Sequence, residues 1–151
     1  MRVFLDTNVL VSAFATRGVC TDVLRVVLAE HTLLTGEVVL REVGRVLRTR
    51  IGLPAAAVRE IDEFLREYEV APRPSTRAAV PQRDPDDQWV VASAVESRAD
   101  VLVTGDRDLL DIAAHAPIKI VDPRGFWDLV RKSGVAASAA DYGPGLKGTI
   151  R

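Results

Sequence analysis

The sequence predicts an α/β fold in which helices cover both faces of a parallel sheet. Short apolar runs alternate along the chain with longer segments whose apolar residues recur at helical spacing. Parallel strands need such crossover segments between them, so the alternation favours a parallel sheet. The 151 residues, 48% of them hydrophobic, are enough for one domain with a buried core.

The first third of the chain predicts two strands and two helices. Residues 2–5 and 31–35 are short apolar runs and predict the two strands. Between them, residues 8–15 and 21–30 show helical spacing. Thr21 is expected to cap the second of these helices, because a threonine oxygen can accept a hydrogen bond from a free N–H group at a helix start.

The middle of the chain predicts two helices and a proline-rich connector. Apolar residues at helical spacing predict a helix over residues 37–50. Pro54 can open the next helix, expected to reach about residue 69, because proline fits the first helical turn. Residues 71–82 contain three prolines and predict a connector, with a short strand expected near residue 79.

The last third predicts the remaining elements and a tail. Helices are expected at residues 85–98, 106–114 and 123–132, and strands at residues 101–104 and 118–121. After residue 132 the composition shifts to Ala, Ser and Gly, which predicts a flexible tail over residues 133–151 behind a folded domain of residues 1–132.

Composition argues against several classes of protein. A formal net charge of −1 gives no global basic field, so contact with nucleic acid would need a local patch. The single cysteine excludes an intrachain disulfide and fits a reducing, cytoplasmic compartment. Asp6 interrupts the apolar N-terminal run early, so neither a signal peptide nor a membrane span is expected. His31 and His115 lie far apart, which disfavours a histidine-rich zinc site or a Ser-His-Asp triad.

Two aspartates follow predicted strands. Asp6 comes directly after the first strand, and Asp106 follows the strand at residues 101–104 after one glycine. Each aspartate could simply cap the helix that comes next. Ligand sites in parallel α/β folds lie at the carboxyl ends of the strands, however, so both aspartates also stand where a site is expected.

Glu42 and Asp87 are predicted on the inward faces of helices. Glu42 lies between Val38 and Val46 on an apolar ridge, where burying a carboxylate is costly unless a cation or hydrogen-bond donors compensate it. The alternative for Glu42 is an ion pair with Arg45 at i+3. Asp87 shares a face with apolar residues at i+3, i+4 and i+7, although acids are also favoured in a first helical turn.

Each acid has a structural explanation, so the case for a site depends on their conjunction. Carboxylates brought together at one edge of a sheet repel one another and resist ionisation. Mg²⁺ or Mn²⁺, which prefer oxygen ligands, would remove that conflict and could activate water beside a phosphate. Asp84 is expected to cap its helix and support the site. Asp108 is either a peripheral ligand or a surface acid.

Four segments, in this order and spacing, resemble the PIN-domain family of nucleases over about residues 1–132. They are VFLDTNVL (3–10), LREVGRVL (40–47), RDPDD (83–87) followed by ASA (92–94), and VTGDRDLL (103–110). The resemblance implies an α/β/α sandwich around a parallel sheet of four or five strands. It also implies hydrolysis of RNA by a metal-activated water, with Mg²⁺ or Mn²⁺ bound by Asp6, Glu42, Asp87 and Asp106.

The short length and the RDPDD form are similar to VapC-like toxins of bacterial and archaeal toxin–antitoxin pairs. That similarity implies a small antitoxin as partner, a homodimer and a cytoplasmic location. The resemblance further implies that Asn8 and Thr104 support the metal site.

Substrate contacts are predicted only from residue type. Arg17 and Arg107 are candidates for holding phosphates, and the alternative for each is a solvated charged surface. The helical face that carries Arg41, Arg45 and Arg48 is assigned to solvent or to a dimer surface.

Other functions remain open at this point. A non-catalytic PIN-like module would bind RNA or a partner without using the acids. A structure-specific DNA nuclease would share the same metal chemistry. An aspartyl-phosphate phosphotransferase would use a strand-end aspartate as nucleophile, but that chemistry commonly has a second aspartate two residues later, where this chain has Asn8.

Overall fold

The computed structural model describes residues 1–76 and 85–132. Its strands are β1 (Arg2–Leu5), β2 (Thr32–Gly36), β3 (Glu69–Ala71), β4 (Val101–Val103) and β5 (Lys119–Val121). Its helices are α1 (Thr7–Ala15), α2 (Val19–Glu30), α3 (Glu37–Val46), α4 (Ala55–Leu65), α5 (Pro85–Glu96), α6 (Arg107–Asp111) and α7 (Pro123–Lys132). A π-helical turn (Leu47–Ile51) extends α3, and a 3₁₀ turn (Ala113–His115) follows α6.

The five strands are all parallel and form one sheet in the order β3-β2-β1-β4-β5. Helices flank this sheet, so the predicted α/β/α sandwich with four or five parallel strands is confirmed, with five strands. At β1 the order of the strands reverses, with β2 on one side and β4 on the other. In open α/β sheets such a reversal leaves a crevice at the carboxyl ends of the strands, where ligands bind.

The central strands form the middle of the core. Val3, Phe4 and Leu5 of β1 are fully buried, as are the three residues of β4. Strands covered on both faces carry apolar residues without alternation, which is the pattern of these two runs. The outer strands β3 and β5 instead begin with the exposed charged residues Glu69 and Lys119, as is common at sheet edges.

Two local predictions were wrong. The helix expected to reach residue 69 ends at Leu65, and Glu69–Ala71 forms β3 because it pairs with β2, a long-range contact that has no local signal. Thr21 is not a helix cap, because α2 begins two residues earlier. The Thr21 hydroxyl instead donates to the carbonyl oxygen of Ala13 over 3.1 Å and so joins α2 to α1.

The helix predicted over residues 37–50 changes geometry before its end. It is α-helical to Val46 and then continues as the π-helical turn Leu47–Ile51. Gly52 ends it with a φ of 80°, a left-handed conformation that glycine adopts without a steric penalty.

Several predictions fall on residues outside the described part of the chain. They are the strand near residue 79, the supporting role of Asp84 and the flexible tail over residues 133–151. None of the described helices has the length and apolar character needed to cross a membrane.

Candidate active site

Asp6 lies at the end of β1 and is only 5% exposed. Its Oδ1 accepts a hydrogen bond from the Thr7 backbone N–H over 2.7 Å, so it caps α1, as the structural alternative predicted. Its Oδ2 accepts a hydrogen bond from the Thr104 hydroxyl over 2.7 Å. The same carboxylate therefore caps a helix and faces the crevice between β1 and β4.

Burial raises the pKa of Asp6 above the ordinary value of an aspartate. The hydrogen bonds from Thr104 and from the Thr7 backbone act in the opposite direction. The negative charges of Asp106 and Glu42 raise the pKa of Asp6 further, because like charges disfavour its ionisation.

The Thr104 hydroxyl joins the ends of β1 and β4. While it donates to Asp6, it accepts hydrogen bonds from the Asp106 backbone N–H over 3.0 Å and from the Asn8 Nδ2 over 3.4 Å. The Asn8 Oδ1 in turn accepts from the Gly105 backbone N–H over 2.7 Å. Asn8 and Thr104 thus fix the backbone on which Asp6 and Asp106 stand.

Three aspartates bring their oxygens together at the end of β4. One carboxylate oxygen from each of Asp87, Asp106 and Asp108 lies within 4.8 Å of the others. Asp87 comes from the first turn of α5 and is 8% exposed. Asp106 caps α6 by accepting a hydrogen bond from the Asp108 backbone N–H over 2.9 Å. Asp108, expected to be either a peripheral ligand or a surface acid, is therefore one of the clustered acids.

Glu42 lies on α3, where the buried carboxylate predicted from the apolar ridge is not found and the alternative, the pairing with Arg45, is present. It forms the i, i+3 ion pair with Arg45, and its side chain is 44% exposed. The hydrogen bond from Arg45 lowers the pKa of Glu42 below its usual value. Glu42 nevertheless lines the same cavity as Asp6, Asp87 and Asp106. The structure thus brings the four predicted acids to one cavity, with Asp6 and Glu42 outside the tight group of three.

This cavity has a volume of about 900 Å³, and its charged lining consists of five acids, which include Asp86, and five arginines. Its basic lining consists of Arg41, Arg45, Arg48, Arg50 and Arg73. Three of these, Arg41, Arg45 and Arg48, lie on the face that the sequence assigned to solvent or to a dimer surface. Arg17 and Arg107 are exposed and do not belong to the lining. The i, i+4, i+7 spacing of Arg41, Arg45 and Arg48 predicts only that they share one side of a helix, and the structure places that side in the same cavity as Glu42.

Comparisons with known proteins agree with this architecture. A family model described as PIN domain matches residues 2–108. This chain is similar to a chain of VapBC2 from Rickettsia felis, with a TM-score of 0.56 and 15% identity. That crystal structure contains VapBC2 bound to a DNA fragment from its promoter. That match covers 81% of this chain and 98% of the other. A chain of FitAB bound to the IR36 DNA fragment gives a TM-score of 0.55 and 14% identity, covering 80% and 94%. No curated protein sequence matches significantly.

Proposed function

Because the chain belongs to the PIN-domain family, we propose that it is a metal-dependent endoribonuclease with its active site in the cavity described above. The observation that carries the proposal is the group of carboxylate oxygens from Asp87, Asp106 and Asp108, which lie within 4.8 Å of one another at the switch point of the sheet. Asp6 and Glu42 line the same cavity.

The donor set fits a hard divalent cation. All of its members are carboxylate oxygens, which Mg²⁺ and Mn²⁺ prefer, and Mg²⁺ is typically bound by few carboxylates together with water and phosphate. The aspartates at 87, 106 and 108 would hold the ion, with Asp6 and Glu42 completing the acidic surroundings. When bound, such an ion lowers the pKa of a water molecule and neutralises charge on a phosphate.

The reaction is hydrolysis of a phosphodiester bond. A water oxygen bonds to phosphorus and gives up a proton, the bond to the leaving ribose oxygen breaks, and that oxygen takes up a proton. Asp6, Glu42, Asp87 and Asp106 are the acids proposed to act in it. Asp6 is buried and its carboxylate is oriented by hydrogen bonds from Thr7 and Thr104, so it can hold a water molecule in position.

Asn8 and Thr104 act as positioning residues in this proposal, since their hydrogen bonds orient Asp6 and the Asp106 backbone. Asp84 is retained as a supporting group that precedes α5. Arg17 and Arg107, which are exposed, are retained as contacts to phosphates outside the cavity.

The proposed biological role is that of a toxin in a toxin–antitoxin pair. The similarity of fold to VapBC2 and FitAB supports this role, as does the VapC-like RDPDD form of the sequence. The partners would be RNA, a small antitoxin protein and a second copy of this chain, and the location would be the cytoplasm.

A cleavage assay on the full chain tests the enzymatic part. Labelled RNA and DNA of the same sequence are incubated with Mg²⁺, Mn²⁺ or EDTA. We expect RNA cleavage with metal, none in EDTA, and at least a ~100-fold loss of rate in Asp106→Asn and Asp87→Asn, because both remove a donor oxygen. The control is Asp111→Asn, which removes an exposed acid from α6 outside the cavity and should retain full activity.

The other outcomes identify the alternatives. Cleavage of DNA but not of RNA would replace the ribonuclease with a DNA nuclease. RNA binding without cleavage under any metal condition would make the chain a binding module. Full activity in Asp106→Asn would remove the acid cluster from the mechanism.

A further inference from the structure

Four arginines along α3 and the π-helical turn face the cavity that holds the acids. Arg41, Arg45 and Arg48 stand at i, i+4 and i+7, which places them on one side of a helix. Arg50 continues them from the π-helical turn, and all four line the cavity. We call these four residues the arginine ridge. From Arg41 to Arg48 the ridge extends about 10 Å along the helix axis.

Three of the four ridge arginines have no ion-pair partner within the described ranges. Arg45 pairs with Glu42. Arg41, Arg48 and Arg50 form no ion pair with any residue in the ranges 1–76 and 85–132. Guanidinium groups without an ion-pair partner in the described ranges keep their hydrogen-bond donors available to an anion that enters the cavity, although the net charge of the whole chain is only −1. The ridge therefore fits a polyanion.

A fifth arginine extends this surface beyond the acids. Arg73 follows β3, and its guanidinium group lies 4.6 Å from the ring centre of Trp89 on α5. Arg73 and Arg41 line both the active-site cavity and a second cavity of about 410 Å³. The two cavities thus adjoin along these residues. In the second cavity Arg66 is already paired with Glu37 and Asp62.

We propose that the arginine ridge and Arg73 bind the backbone phosphates of one unpaired RNA strand that passes from the acid cluster toward the second cavity. The inference deepens the proposed function and depends on it for the identity of the substrate. Guanidinium groups match phosphate oxygens in a two-pronged geometry. A ridge about 10 Å long that carries several guanidinium groups can contact more than one phosphate of the same strand.

Two features favour an unpaired strand over a duplex. The oxygens of Asp6 and Asp87 are recessed, with residue exposures of 5% and 8%, so a scissile phosphate must enter the cavity to approach them. A flexible single strand can bend in this way more easily than a stiff duplex. The planar groups of Arg73 and Trp89 also offer a surface on which an unpaired base can stack.

Binding measurements without cleavage test the proposal. A fluorescent unpaired RNA, the DNA of the same sequence and a duplex RNA are titrated with the full chain in EDTA, and anisotropy is recorded over a series of KCl concentrations. The variants Arg41→Gln and Arg48→Gln are compared with Arg25→Gln and Arg59→Gln, which remove exposed arginines of α2 and α4 outside both cavities.

We expect each ridge variant to weaken binding of unpaired RNA severalfold and to reduce the slope of log K against log salt by about 0.7, the value for one lost phosphate contact on a single strand. The control variants should keep the slope of the native chain. Equal slopes in ridge and control variants would overturn the proposal, as would tighter binding of the duplex than of the unpaired strand.

A polyglutamate peptide serves as the competing ligand. If the ridge variants lose binding of this peptide but keep their RNA binding, the ridge is a protein-docking surface and the proposal is wrong.

Failure of the strand path is distinguishable from failure of the proposed function. A chain that cleaves RNA while its ridge variants behave like the controls retains the nuclease and loses only the strand path. If the chain binds RNA through the ridge but never cleaves it, the strand path is retained and the nuclease is lost.

Discussion

Two buried threonines lie near the ends of the strands that flank β1, and their hydroxyl groups differ in what they bind. The Thr104 hydroxyl donates to Asp6 and accepts from the Asp106 backbone. The Thr35 hydroxyl is equally buried and has no hydrogen-bond partner among the described residues. Replacing each threonine by valine therefore compares the loss of a hydrogen-bonded hydroxyl at residue 104 with the loss of an unbonded one at residue 35.

We expect Thr104→Val to reduce the free energy of unfolding by about 1–3 kcal/mol, because a buried carboxylate and a backbone N–H lose their partner. Thr35→Val should be neutral or slightly stabilising, since valine buries no hydroxyl. Urea unfolding in EDTA measures both. Equal losses in the two variants would mean that packing, rather than the hydrogen bonds, determines the effect at Thr104.

The raised pKa of Asp6 predicts a particular pH dependence of stability. The folded chain binds this proton more tightly than the unfolded chain does, so the favourable contribution is complete below the ordinary pKa of aspartate and is lost as pH rises through the raised value. Asparagine cannot ionise. The melting temperature of Asp6→Asn in EDTA, relative to the native chain, should therefore increase between about pH 4 and pH 8.

The control for this prediction is Asp111→Asn, which changes the net charge equally at an exposed position on α6. Thermal unfolding gives the melting temperature of both variants at each pH, and the prediction concerns the difference between these two temperatures. A constant difference across the range would show that ionisation of Asp6 does not limit stability.

At the scale of elements, the position of α5 relative to β2 depends on a glycine. A Cβ at Gly36 would overlap the hydroxyl of Ser93 on α5. Ser93 is fully buried, and its hydroxyl has no hydrogen-bond partner within the described ranges. The close approach matters because α5 also carries Asp87, so a shift of this helix would move one acid away from the others.

We expect Gly36→Ala to destabilise the protein by about 1–3 kcal/mol through overpacking. Ser93→Ala alone should have a small effect, because it removes no observed hydrogen bond. The double variant should lose less stability than Gly36→Ala, and denaturant unfolding of all three variants gives the coupling energy. If the stability losses of Gly36→Ala and Ser93→Ala simply add in the double variant, the Cβ introduced at residue 36 does not contact the Ser93 side chain.

At the scale of the whole molecule, metal binding at the proposed site would be linked to folding. Asp106 and Asp108 follow β4, and Asp87 begins α5, so the cluster exists only when these elements are packed together. An ion that binds only the folded state stabilises it, by about 2.7 kcal/mol at 100 times its Kd. We expect Mn²⁺ or Mg²⁺ to raise the melting temperature of the full chain and EDTA to reverse the increase.

Asp106→Asn should lose most of this metal-dependent increase, whereas Asp111→Asn should keep it. Differential scanning fluorimetry over a metal titration is sufficient for the comparison. The metal site as proposed would be wrong if the native chain and Asp106→Asn were stabilised to the same extent.

The sequence by itself determined the class of the fold, its family and several local features of the site. The alternation of elements and the strand-end positions of Asp6 and Asp106 are local patterns. The parallel sheet confirms the predicted fold class, the PIN-domain match confirms the family, and the two aspartates follow β1 and β4 as predicted. Local patterns also predicted that Asp6 caps a helix and offered the pairing of Glu42 with Arg45, and both features are present.

Only the tertiary structure decided which residues meet. Strand β3 has three residues and exists through its pairing with β2, so no local pattern revealed it. Asp108 lies close to Asp87 and Asp106, and the arginine ridge lines the same cavity as Asp87 and Asp106, because sheet order and helix packing set these distances. The physical reason is that propensity and periodicity act over a few neighbouring residues, whereas the separation of side chains far apart in sequence depends on how complete elements pack.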